Sequence, residues 1–496
     1  PQHPGVAAQV GRRHEGMTAG EASLDAPPEI LEKPSLRSVM RDPGVRALLI
    51  SRFATMLGIA TLSYGLMVYL ATAGASQATV SLIGGMRFFA ALLFGIAGGV
   101  ITESMSKRGA MVSAYALQAA ICFILPVLWG TSLPALVVLV FVISALTQVV
   151  APAVKAATAL VSTPAQVATV AAIISLAAGL GAALGSAFFA PFLISSGSLR
   201  LLIFACGFIM AFGAFRALWV PDEEGQSTLR QAVRTMNWKA TTPTLSRTMD
   251  WIVSHRALAS MVLVGSLATG LFEGFNTLIP IYIRDVLDAN PALTVFILAP
   301  GGLGAFLGTV VGPNLMLRRG ERSVALIALA LLTLSFALFG VIDQIAPIIS
   351  QFSLLRLTNL FGISLNPLVE AAGMISILTS FGSTGAAAAV QTYINRFVFL
   401  ERQASTFGMQ NVLESAVSLL AVLVLGALAS LVGSQAVFLI APIFLTVALV
   451  LLVRFGLRVT QQEYVSTRVV LNELFGSGGP APTAVGAAEP TDQEQS

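Results

Sequence analysis

The sequence predicts an all-α integral membrane protein whose twelve transmembrane helices form two six-helix halves. Three observations carry that expectation. Hydrophobic residues make up 56% of the chain and charged residues only 10%, where soluble domains run nearer about a quarter charged; mean hydropathy is +0.84. Apolar runs near the ~20 residues that a membrane-crossing helix needs recur along the chain. A short polar, basic hinge between two such runs appears twice, once in each half.

The first hinge is Gly98-Gly99-Val100-Ile101-Thr102-Glu103-Ser104-Met105-Ser106-Lys107-Arg108-Gly109. The second, Thr309 to Gly320, carries Arg318-Arg319-Gly320 at the same place in its own half. Gly99-x-x-x-Glu103-x-x-x-Lys107-Arg108 resembles the cytoplasmic loop between helices two and three of the major facilitator superfamily, usually G-x-x-x-D-R-x-G-R-R. Glu103 replaces the Asp, Ser104 the first Arg and Ser106 the Gly. Within that family the chain is most similar to the drug and macrolide efflux branch, over about residues 42–458. The resemblance implies the major facilitator fold and transport by alternating access. It also implies that Gly99, Glu103, Lys107 and Arg108 form a charge and helix-dipole latch holding one access state; the plainer alternative is a positive-inside anchor.

Residues 1–41 are polar, rich in Pro, Gly and Glu, and lack an apolar core; they are expected to be a disordered cytoplasmic tail. Residues 42–220 form the first half. Its spans are expected at Val45–Ala71, Thr79–Ile101, Ala110–Leu128, Leu133–Val150, Val167–Ile194 and Leu199–Trp219. The charged stretch 221–256 reads as a cytoplasmic linker, too short for a regulatory domain. Residues 257–458 form the second half, with spans at Leu258–Ile283, Leu293–Leu317, Val324–Val341, Leu368–Tyr393, Phe407–Leu431 and Ala436–Phe455. The apolar stretch 342–367 is broken by Asp343, Pro347, Arg356 and Asn359; an Arg facing lipid is costly, so it is expected to be an external interfacial segment. Residues 459–496 are expected to be a cytoplasmic tail.

Charge orients the chain. Of the 28 Lys and Arg, Arg52 and Arg87 lie within spans and only Arg200, Arg284 and Arg356 fall on the face opposite the hinges. By the positive-inside rule the hinges and both termini are cytoplasmic, which places the protein multi-pass in the cell membrane. The formal net charge of +4 is then topological and no sign of nucleic-acid binding.

Few side chains inside the membrane can do chemistry. Glu273, flanked by Gly270, Gly274 and Pro280 near the middle of span seven, is the first proton-coupling candidate. A mid-bilayer carboxylate is unfavourable when charged and so can take up a proton; the structural alternative is a neutral Glu bonded to another helix. Glu414, beside Gln410 and Asn411, is the second. Arg87 in span two either holds a carboxylate across a cavity or reaches the surface. Phe53, Tyr64, Phe272, Phe275 and Asn276 are candidate substrate contacts. Span five resembles the family's antiporter motif at Gly181-x-x-x-Gly185, but with Ser186 where that motif has Pro.

Nothing points to an enzyme, a cofactor or a metal site: there is no phosphate-binding G-x-x-x-x-G-K-[ST], no His motif, and Cys122 and Cys206 sit in separate spans. The expected partners are a small-molecule substrate, protons and the lipid bilayer, with the chain monomeric. The function expected is proton-coupled efflux of lipophilic or drug-like molecules. The alternatives are a lipid or siderophore exporter of the same fold, or a non-transporting scaffold or sensor.

Overall fold

The computed structural model describes residues 40–103, 105–162, 166–195, 198–221, 248–356, 364–398 and 400–457. Most of both tails, most of the linker at 221–256 and residues 357–363 of the interfacial stretch lie outside the described residues. Among the described residues, twelve helices are long and apolar enough to cross a membrane.

Spans one to four are Pro43–Thr72, Gln77–Glu103, Lys107–Leu128 and Leu133–Leu160. Local chemistry sets their starts. The carboxylate of Asp42 accepts from the backbone N–H of Gly44 and Val45, and Pro43 occupies the first turn, where its missing N–H costs nothing. Ser106 accepts from Gly109 and opens span three inside the hinge. Span four runs ten residues past its expected end at Val150. Pro152 and Lys155 read as loop signals, yet Ala153, Val154 and Ala157 are buried, and their packing carries the helix through the proline.

Span five is a composite: Val167–Leu184, a π-helical turn at Gly185–Phe189, then Ala190–Ser195. Span six is Leu199–Ala217. In the second half, spans seven, nine and ten are Arg256–Asp285, Glu321–Gly340 and Pro367–Phe397, while a 3-10 turn, Pro291–Thr294, leads into span eight, Val295–Arg319. Leu400–Val432 and Ser434–Leu457 are spans eleven and twelve. Between spans nine and ten, Ile342–Ile349 forms a helix of 8 residues, well short of what a bilayer requires.

Glycine lets the helices pack at backbone contact, the usual device where lipid removes the hydrophobic drive between helices. A Cβ on Gly98 of span two would lie 2.2 Å from the carbonyl of Gln148 in span four. At the matching place in the second half, one on Gly304 of span eight would lie 2.0 Å from the carbonyl of Ile377 in span ten. The second half is further keyed by aromatics: Phe275 packs 4.9 Å from Phe339 and 6.1 Å from Phe438, and the Tyr282 hydroxyl donates to the Phe339 carbonyl at 2.6 Å.

The halves meet on the face opposite the hinges. There span two lies along spans seven and eleven: a Cβ on Gly426 would fall 1.9 Å from Ser81 Oγ, and Gln77 Nε2 donates to the Thr277 carbonyl at 3.5 Å. Arg284, at the end of span seven, donates through Nη1 to the carbonyls of Ala71 at 2.9 Å and Ala75 at 3.2 Å. Asp285 steadies the other side of its fork at 2.6 Å. A guanidinium over the carbonyl end of span one also meets the favourable end of that helix's dipole.

Two outcomes are expected. Gly304→Val should lower the thermal unfolding midpoint in detergent, overpacking costing about 1–3 kcal/mol, whereas Gly302→Ala, where an added Cβ meets nothing within 4 Å, should leave it unchanged. Arg284→Ala should unseal the closed face. A cysteine at Ser63, within the bundle, should then react roughly tenfold faster with a membrane-impermeant maleimide added from that face, as loss of ~1.5 kcal/mol in a charge-assisted bond implies. Native Cys122 and Cys206 are buried, so the background is low.

Candidate functional site

Between the halves lies a cavity of ≈ 780 Å³ walled by spans one, two, four, five, seven, eight, ten and eleven. Helical spacing accounts for the first wall: Met56, Ile59, Ala60, Ser63, Tyr64 and Met67 recur at three and four residues on one stripe of span one. Tyr64, Arg87, Phe272 and Asn276, expected at a substrate cavity, line it, and so does Glu273, expected as a proton-coupling residue.

Two candidates do not. Phe53 lies on the same stripe of span one but a turn before Met56, where the lining begins, and its carbonyl faces Gly181 of span five. Phe275 is 1% exposed inside the aromatic core of the second half. The reason is angular. At ~100° per residue, positions 272, 273 and 276 share one face of span seven, and 275 falls on the flank turned towards spans nine and twelve.

The feature that organises the cavity is an ion pair. Arg87 of span two donates through Nη2 to Glu273 Oε2 of span seven, so that the acid of one half holds the base of the other. Glu273 therefore has a charged partner on a helix of the other half. Both side chains are largely withdrawn from solvent, at 30% and 21% exposure, and a charge held there needs its partner. The Arg87 guanidinium also lies 4.4 Å from the centre of the Phe88 ring.

The rest of the wall divides by chemistry. Polar groups come from spans four, ten and eleven, Ser144, Thr147, Gln148, Ser380, Asn411 and Ser415, together with Asn276 of span seven, Ser63 of span one and Ser186 of span five. Thr147 is held from behind, since Gln118 Nε2 donates to its hydroxyl at 3.0 Å and to the Ile143 carbonyl at 2.9 Å. The sequence reading missed Gln118; a glutamine in the apolar run of span three was the available signal. Apolar groups come from spans five and eight, among them Leu180, Leu184, Phe188 and Leu298. Glu414 does not line the cavity: it accepts from Gln410 Nε2 at 2.7 Å on its own helix, while its neighbours Asn411 and Ser415 do.

At the first hinge, Lys107 Nζ donates to the carbonyls of Thr102 at 3.2 Å and Met105 at 3.4 Å, capping the end of span two. Thr102 in turn donates to the Val149 carbonyl of span four at 2.8 Å. Gly99 lies in span two, Arg108 opens span three beside Lys107, and the side chain of Glu103 lies outside the described residues. In the second half Arg396, ending span ten, bonds Glu321, which begins span nine, at 2.9 Å.

Comparison with known proteins agrees with this architecture. The chain is similar in fold to a solved nucleoside transporter, NupG (14% identity, TM-score 0.60, covering 83% of this chain and 98% of that one). It is similar to a POT family transporter solved with 5-aminolevulinic acid (13%, 0.63, 84% and 97%). It is also similar to a bacterial homolog of the human lysosomal transporter Spinster, solved inward-facing and occupied (12%, 0.63, 88% and 98%). At these identities the likeness establishes the fold alone. No curated protein sequence matches the chain. The family model for the Major Facilitator Superfamily matches residues 48–374, two thirds of the chain: this membrane transporter belongs to the Major Facilitator Superfamily.

Proposed function

We propose that the protein exports lipophilic, drug-like small molecules in exchange for protons by alternating access, with Arg87 and Glu273 as the coupling pair. The observation that carries this reading is the position of that pair: it joins the two halves inside the wall of a membrane-buried cavity. A proton on Glu273 cancels the charge that holds Arg87, and the halves lose a cross-link at mid-membrane. A cationic substrate competes for the same carboxylate. One acid that serves Arg87, a proton or a substrate in turn links cargo to proton flow, and the apolar lining from spans five and eight suits a lipophilic body.

With the hinges cytoplasmic, the face sealed by Arg284 and Gly426 is external. Lys107 at the carbonyl end of span two fits the dipole half of the latch. Glu414 is the reserve proton site: Gln410 orients it beside Ser415 and one turn from Asn411, both of the cavity wall.

In proteoliposomes, Glu273→Gln should cut substrate-induced proton movement about tenfold or more, the consequence of losing ~1.4 kcal/mol of coupling, across a panel of lipophilic cations, macrolides and lipids. Coupled transport at the native rate would remove Glu273 from the mechanism and put Glu414 in its place. Folded protein that moves none of the panel would favour the scaffold reading.

A further inference from the structure

A hydroxyl offers one proton and two lone pairs, so a polar wall has a sense that depends on where its protons point. At Thr147 of span four that sense is fixed from behind. Its hydroxyl donates to the Ile143 carbonyl at 2.9 Å. Gln118, fully buried in span three, donates through Nε2 to the same carbonyl at 2.9 Å and to Thr147 Oγ1 at 3.0 Å. A carbonyl can only accept, so the nitrogen of the Gln118 amide is the atom that must face it. Thr147 has then given its proton and filled one lone pair, and what it offers the cavity is the other.

The same sense recurs on two further helices. Ser415 of span eleven donates to the Asn411 carbonyl at 2.8 Å, and Ser186 of span five to the Ala182 carbonyl at 2.9 Å. Bonds to the carbonyl four residues back are common for hydroxyls in helices, and they keep a donor from being stranded in an apolar medium. Thr147, Ser186 and Ser415 all line the cavity, so there the consequence is a wall of acceptors. The guanidinium of Arg87 is held on Glu273, and the amides of Asn276 and Asn411 carry donor and acceptor alike. Counted at ~1.5 Å per residue from the sealed-face ends of their helices, Glu273, Thr147 and Ser415 lie about 18, 21 and 26 Å deep. The acid and two of the lone pairs therefore share one level of the bundle.

We propose that this wall selects cargo with N–H donors: a primary or secondary ammonium over a quaternary one of the same charge. Glu273 answers the charge, and the oxygens of Thr147 and Ser415 take N–H protons that a trimethylated group does not have. The class of cargo rests on the transport reading above; the acceptor sense of the wall does not.

Phenylbutylammonium and its N-methylated series each carry one charge and differ in the number of N–H groups. In calorimetric titrations of the purified protein, affinity should fall stepwise from the primary to the trimethyl ion, by about tenfold overall, the scale of one or two hydrogen bonds. Thr147→Val combined with Ser415→Ala, which removes both oxygens at little change of shape, should bring the two extremes within about threefold of each other. The ratio is read within one preparation, so a partly folded variant lowers the stoichiometry and leaves the ratio unmoved. Thr147→Ser, which keeps the oxygen, should keep the preference. Equal native affinities across the series, or failure of every member to bind, overturns the proposal. A preference of native size in the double variant, or its loss in Thr147→Ser, overturns the assignment to these oxygens. The expected preference, with no proton movement when the primary ion is added to proteoliposomes, upholds the wall's selectivity and contradicts the transport reading.

Discussion

The ion pair between Arg87 and Glu273 is the constraint around which the rest is built. Two charges drawn from water into a membrane protein must find one another, because either alone carries an uncompensated desolvation cost of several kcal/mol. The partners stand in different halves, on spans two and seven. The pair can therefore form only where span two lies against the second half, and the glycines make that approach available: Gly84 beside Thr277, Gly85 beside Leu423, and Gly426 on Ser81. Bulk at any of these points would separate the charges.

Within each half the same economy recurs with its partners exchanged. In the first half, Gly181 and Gly185 of span five lie on span one. In the second, the glycines sit on span seven instead: Gly270 and Gly274 receive Val417 and Leu425 of span eleven. The helix pairs correspond, since one and five of the first half match seven and eleven of the second, so either member of a pair can supply the small residue. What differs is what each half gains. Span five, with its π-helical turn, borders the bilayer and the cavity together, while span seven carries the acid and, on its other flank, the aromatic core of Phe275 and Tyr282.

Most of the fold was legible in the sequence because spans are long and their signal is summed over some twenty residues. The twelve helices, the two hinges and the division into halves follow from apolar length and charge. Local signals did worse. Pro152 and Lys155 looked like the end of span four, because no sequence pattern says that Ala153, Val154 and Ala157 have a buried surface to pack on. Glu273 stood out by its glycine-rich surroundings and Arg87 by its charge, but their pairing joins positions far apart in the chain and on opposite halves, which single-helix periodicity cannot express. Phe275 shows the limit of counting aromatics near an acid: it stands two residues from Glu273, about 200° around the helix. The π-helical turn has no signature in Gly185-Ser186-Ala187-Phe188-Phe189 that distinguishes it from ordinary helix.

The account turns on whether the Arg87–Glu273 pair holds the halves together, and a charge exchange tests that directly. Spin labels at the sealed-face ends of spans one and seven report the population of the closed arrangement by pulsed electron resonance. Arg87→Glu and Glu273→Arg should each deplete the closed population, and the two together should restore it. Closed populations unchanged by the single reversals, or not restored by the double exchange, would contradict the account.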